Sequence, residues 1–195
     1  LVKPFLDHGL AIASGNSATL LVAGGNYNED LILPSGVSLA GGFTSGLWVR
    51  DLVKAPSVIR GQKISLTIQQ AKQNQTSIVD GFTIYVSNTR QPTITLGAGA
   101  RAILRNNTIY ASSHEDRRET TTFTYGAGIF SWDARFQAVQ NRFLTPMDTT
   151  ENTMFSGIEV RKGCQIIAGN HFTGFTTAIN TYGTQGAIVG NLIEA

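Results

Sequence analysis

The 195 residues suffice for one domain with a continuous core, since 42% of them are hydrophobic. Charged residues make up only 14% and glycines number 21, a bias that favours turns and strands over helices and excludes a disordered, charge-rich chain. Fifteen basic against thirteen acidic residues leave a net charge of +2, and no Lys/Arg stripe recurs along the chain, so nucleic acid is not an expected partner. The single Cys164 excludes an internal disulfide and a Cys-rich metal cluster. No apolar run approaches the roughly 20 residues that span a bilayer, so direct membrane insertion is not expected. No motif calls for a metal or cofactor.

In chain order, Val2, Phe5, Leu6, Leu10 and Ala13 fall at helical spacing before Ser14-Gly15-Asn16 breaks the pattern. This predicts a short helix within residues 1–15 that caps the apolar end of a repeat structure filling 16–195. Between Leu20 and Gly61 lie Val22-Ala23-Gly25-Tyr27-Asn28-Glu29, Leu33-Pro34-Ser35-Gly36-Val37-Ser38-Leu39, Gly41-Gly42-Phe43, Trp48-Arg50-Asp51 and Val58-Ile59-Gly61. Each element has a structural reading. Gly41-Gly42 allows a tight corner with Tyr27 and Phe43 packed beneath it, and pairs such as Glu29–Arg50 or Asp51–Arg60 fasten the loop Thr44–Pro56.

From Ile78 onward the chain repeats. The segments Ile78–Ile84, Ile103–Ile109, Gln137–Phe143, Ile166–Phe172 and Ala187–Ile193 recur at steps of 25, 34, 29 and 21 residues. Such periods suit solenoid coils. A second strand opens at Ile94, Ile129, Ile158 and Ile179, at a nearly constant 14 or 15 residues before the segment's last residue, so the variable length belongs to the insertions Tyr110–Gly128 and Leu144–Gly157. Alternation assigns three inward rows: Ile94/Leu96, Ile129/Ser131, Ile158/Val160 and Ile179/Thr181; then Leu104, Ala138, Ile167 and Ile188; then Ile109, Phe143, Phe172 and Ile193. Three inward rows predict an all-β, right-handed, three-sided parallel β-helix. Asn107, Asn141, Asn170 and Asn191 occupy one position in successive coils. They predict a stacked amide ladder at left-handed corners rather than a set of sugar ligands.

The motifs between Leu20 and Gly61, followed by Asp80-Gly81-Phe82-Thr83-Ile84, resemble the first coils of bacterial secreted β-helix proteins of the pectate-lyase-like superfamily. The likeness is close over Leu20–Ile84. It implies an exported or cell-surface bacterial protein of a branch without assigned activity. The terminal residues read as a piece of a longer chain whose secretion signal lies outside these 195 residues, with further domains or a homo-oligomer at the C-terminal end.

The outward row of the strands opening at Ile129, Ile158 and Ile179 reads Phe130/Trp132, Glu159/Arg161 and Asn180/Tyr182. Exposed rings beside a Glu–Arg pair suit a polysaccharide or other surface polymer, the rings stacking on sugar faces and Arg161 taking carboxylates bidentately. In the competing reading the two insertions fold over this row and bury it. For hydrolysis, Asp133 and Glu159 are the nearest carboxyl pair. For a lyase reaction, Arg161 or Lys162 stands as base, although no Asp cluster beside it supplies the oxygen ligands that calcium prefers. A third reading makes the chain a structural spacer of an adhesin, autotransporter passenger or phage spike. His114–Glu119 reads as a solvated charge run, His171 as an ordinary outward strand residue, and Cys164 as a corner residue without a paired His.

Overall fold

The computed structural model describes residues 6–13, 17–72, 74–87, 91–112, 126–145 and 155–194. The charge run His114–Glu119, the helix-spaced Val2 and Phe5, and most of the two insertions lie outside the described residues.

Helix α1 (Leu6–Ala13) precedes β1 (Thr19–Ala23), β2 (Gly25–Tyr27), β3 (Leu31–Leu33), β4 (Ser38–Phe43), β5 (Ser57–Gly61), β6 (Leu66–Ile68), β7 (Ser77–Asp80), β8 (Phe82–Val86) and β9 (Ile94–Leu96). There follow β10 (Arg101–Arg105), β11 (Thr108–Tyr110), β12 (Gly126–Val139), β13 (Arg142–Leu144), β14 (Phe155–Ala168), β15 (His171–Thr173), β16 (Thr177–Tyr182), β17 (Gln185–Val189) and β18 (Leu192–Glu194). Every pairing between named strands is parallel. The fold is an all-β parallel solenoid.

The strands stack in three ladders. The first contains β3, β6, β9, the front of β12, the front of β14, and β16. The second contains β1, β4, β7, β10, the rear halves of β12 and β14, and β17. The third runs from β2 through β5, β8, β11, β13 and β15 to β18. The sequence predicts separate strands at Ile129 and Gln137, and again at Ile158 and Ile166. Instead each pair is one 14-residue strand turning the corner.

Inward residues follow the predicted rows. Ile94, Leu96, Ile129, Ile158, Val160, Leu104, Ala138, Ile167, Ile109, Phe143 and Phe172 are all buried. Phe143 and Phe172 stack with ring centroids 4.6 Å apart, an arrangement worth about 0.5–1.5 kcal/mol beyond the area it buries. Ile188 and Ile193, at equivalent positions in the last described coil, are 53% and 58% exposed because a coil packs on one side of them only.

Helix α1 buries Leu6, Leu10 and Ala13 against the first coil. Its first amides find an acceptor in Glu29, whose carboxylate takes the N–H of Leu6 at 3.0 Å and of Asp7 at 2.9 Å, a charge-assisted cap on otherwise unpaired donors. Glu29 is thus a cap and not the partner of Arg50. Arg50 instead holds Asp80, Nη2 to Oδ1 at 2.7 Å, and Asp80 also receives Arg105 Nε at 2.9 Å and Asn106 Nδ2 at 3.0 Å. Asp51 does not meet Arg60 either. Its carboxylate accepts the N–H of Val53 and Lys54 and closes the loop locally, while the Arg60 guanidinium lies over the Tyr85 ring. No helix among the described residues is long and apolar enough to cross a membrane.

The Asn ladder forms as an internal device. Asn107 Nδ2 donates to Asn141 Oδ1 at 3.0 Å, Asn141 to Asn170 at 3.0 Å, and Asn170 to Asn191 at 3.0 Å. The same amides donate to the carbonyls of Val79, Leu104, Ala138 and Ile167. Each Oδ1 also accepts a backbone N–H: those of Asn107, Asn141 and Asn170 within the ladder, and that of Phe82 at its start. The left-handed corner residue is not the ladder Asn but the residue before it: Asn106, Gln140, Gly169 and Gly190 carry positive φ, as does Gly81 before Phe82 at the corresponding corner of the preceding coil. One residue bends the chain so that the next can point its amide inward.

Candidate functional site

The outward row of the first ladder forms where the sequence places it, because β12, β14 and β16 pair in register. Phe130 neighbours Glu159, and Glu159 neighbours Asn180. Trp132 neighbours Arg161, and Arg161 neighbours Tyr182. With inward Ile129, Ser131, Ile158 and Val160 locked in the core, strand alternation leaves their neighbours facing out. Trp132 is 44% and Tyr182 55% exposed.

At the centre of the row, Arg161 Nε donates to Glu159 Oε1 at 2.8 Å. The Arg161 guanidinium stands 5.8 Å from the Phe130 ring centroid, within range of a cation–π contact. Glu159 is therefore not a ligand presented to solvent: its side chain is 3% exposed and its charge is engaged by Arg161. Only Nε of Arg161 is committed to a partner among the described residues, and the side chain is 40% exposed. Asn180 Nδ2 donates to Tyr182 Oη at 3.2 Å and fixes the ring at the row's edge. Lys162, weighed in the sequence only as a base, lies with Nζ 5.6 Å from the Trp132 centroid, within range of a cation–π contact.

Asp133 is not part of this row. It follows Trp132 at the corner with φ 50°, exposed, while its carbonyl accepts the Gly99 N–H at 2.8 Å. From there it lines a groove with Arg101 and Arg135 on the second ladder. A left-handed corner turns its side chain out of the strand alternation that the carboxyl pair with Glu159 would need. The row therefore offers one buried, ion-paired carboxylate flanked by rings and amides.

The sequence readily yields the strand alternation of this row and the Glu159–Arg161 pair two residues apart on one face, but not the Lys162–Trp132 contact. Lys162 has φ 63°, and only that corner brings it back over the preceding coil.

No protein-family profile matches the chain. Over 158 residues it is 27% identical to "tRNA nuclease CdiA-2" of Burkholderia pseudomallei strain 1026b, a match that takes in 80% of this chain and 4% of the relative. The chain thus spans a small fraction of the length of that curated relative. Among solved structures it is similar to a "putative glycosyl hydrolase" from Parabacteroides merdae, with a TM-score of 0.54 and 9% identity over 97% of this chain and 85% of that one. At that identity the likeness is one of fold: a parallel β architecture followed over nearly the whole chain.

Proposed function

We propose that the chain is a right-handed, three-sided β-helix of the pectate-lyase-like kind within an exported or surface-displayed bacterial protein, and that the outward row of its first ladder binds a polysaccharide. The carrying observation is the in-register set Trp132–Arg161–Tyr182, two exposed rings on either side of a guanidinium that Glu159 holds in place. Sugar rings present flat apolar faces to the two aromatics, and hydroxyls or an acid group meet the free Arg161 donors and Asn180. The site binds without turnover in this reading, because its carboxylate is engaged in an ion pair and Asp133 stands on another face.

The experiment is a panel of plant, algal and bacterial polysaccharides scored for both retention and soluble products. Trp132→Ala and Tyr182→Ala are expected to weaken retention while leaving the melting temperature unchanged. Retention equal to the parent chain removes the groove. Products that vanish in Arg161→Ala or Glu159→Gln replace the binding module by a lyase or hydrolase.

A second reading, a spacer without ligand, is favoured by one observation: the curated match makes up only 4% of a protein named for a nuclease, as expected of one stretch of a long solenoid. It predicts neither retention nor products across the same panel.

A further inference from the structure

Arg101, Arg135, Cys164 and Gln185 form one outward row on the second ladder, paired in register through β10, β12, β14 and β17. Two guanidinium-bearing side chains therefore leave the solenoid one coil apart, about 4.8 Å by strand spacing. They line two adjoining grooves, of about 450 Å³ and 230 Å³, that share Arg101, Arg135 and Cys164. Among the described residues, Arg50 and Arg105 share Asp80, Arg161 holds Glu159 and Arg60 covers Tyr85, while Arg142 stands by itself on the third ladder. Among the described residues, Arg101 and Arg135 hold no carboxylate. Asp133 lines the larger groove without forming an ion pair with either.

Stacking two like charges on one row is unfavourable until a shared anion lies between them, and planar guanidinium donors match an oxyanion bidentately. The remaining polar lining is neutral: Asn74 and Gln185 in the larger groove, and Thr76, Gln137 and Gln165 in the smaller. Such amides bond hydroxyls. Asp133 accepts hydroxyls too, and it opposes a continuous polyanion. Among the described residues the only aromatic side chain lining either groove, Phe136, is buried and offers no ring to a nucleobase. We propose that Arg101 and Arg135 form an oxyanion site for a sugar acid or sugar phosphate, the acid group bridging the two guanidinium groups and the hydroxyls meeting Asn74, Asp133 and Gln185. The site is independent of the Trp132–Tyr182 row.

The test is an amide-resolved NMR titration of the isotope-labelled chain with glucose phosphate, glucuronate and neutral glucose. Saturable shifts clustered at Arg101, Arg135, Gly163 and Cys164 are expected with at least one acidic sugar and not with glucose. A response to phosphate alone or to carboxylate alone identifies the acid, and either supports the site. Arg101→Gln with Arg135→Gln is expected to weaken binding roughly ten-fold or more, the effect of two lost charge-assisted partners. Arg142→Gln removes an exposed charge from the third ladder and leaves binding unchanged. Cys164, exposed on the next coil, gives a second readout: the bound acid slows its reaction with an anionic thiol reagent. Absence of clustered shifts with both acids overturns the proposal, as does equal binding by the double variant. Shifts produced there only by a single-stranded oligonucleotide overturn it as well. Trp132→Ala leaves this titration intact, so failure here is distinct from failure of the first-ladder site.

Discussion

Asp80 is buried at the end of β7 with three donors converging on its carboxylate. Burial opposes its ionisation, but the hydrogen bonds from Arg50, Asn106 and Arg105, with the charge of Arg50, outweigh that and hold it below the usual Asp range. With its native value below the unfolded value of about 3.9, the unfolded chain binds the proton more readily. The stabilisation is complete above that unfolded value and is lost as pH falls through the lower native one. Asp80→Asn is accordingly expected to cost about 1–3 kcal/mol near neutrality, the scale of a damaged buried hydrogen-bond set, and progressively less in acid. Urea unfolding of both chains near neutral pH and near pH 3 checks it, and a loss of equal size at the two would refute it. The DGFTI motif that contains Asp80 is plain in the sequence. Its Arg partners are not, because they stand 30 residues before and 25 after it and meet it only through coil stacking.

At the scale of the element, the corners decide which strands fuse. The turn from the first to the second ladder in β12 and β14 keeps pairing across Ala134 and Gly163, which adjoin in register. Gly163 has φ 95°, and a Cβ there would meet the Ala134 carbonyl oxygen well inside contact distance. Gly183, also at positive φ (59°), has open space around it. Gly163→Ala should therefore cost clearly more than Gly183→Ala, whose penalty is limited to about 1–2 kcal/mol of left-handed strain. Thermal melts of the two variants decide this, and equal losses would show that backbone strain alone, not the close approach of coils, makes Gly163 necessary. The sequence marks the neighbouring Cys164 as a corner residue but predicts a break between strands there. Whether a corner interrupts pairing depends on the neighbouring coil turning in step with it.

Across the whole molecule each coil meets only the coils before and after it, so energetic coupling should be short-ranged. The Asn ladder tests this directly. Asn141→Ala removes an amide that links Asn107, Leu104 and Asn170, at an expected cost of about 1–3 kcal/mol. Combined with Asn170→Ala it should depart from additivity, since the two share a hydrogen bond. Combined with Ser57→Ala, which removes a buried hydroxyl linked to Val22, Ala23 and Gly42 in the first coils, it should add within about 0.5 kcal/mol. Additivity in both cycles would mean that the ladder is a row of independent bonds.

The sequence by itself determined the solenoid, its inward rows, the Asn ladder and the strand alternation from Phe130 to Tyr182, because each rests on period-two alternation and a coil-length repeat that local chain geometry enforces. Only the tertiary structure decided which charges pair. It gave Glu29 to the helix amides and Arg50 to Asp80, turned Asp133 away from the first ladder, and set Arg101 beside Arg135. Side-chain partners in a stacked fold come from coils about one repeat away, and a left-handed corner redirects a residue by an amount that strand alternation does not encode. Those two facts separate what could be read along the chain from what had to be read across it.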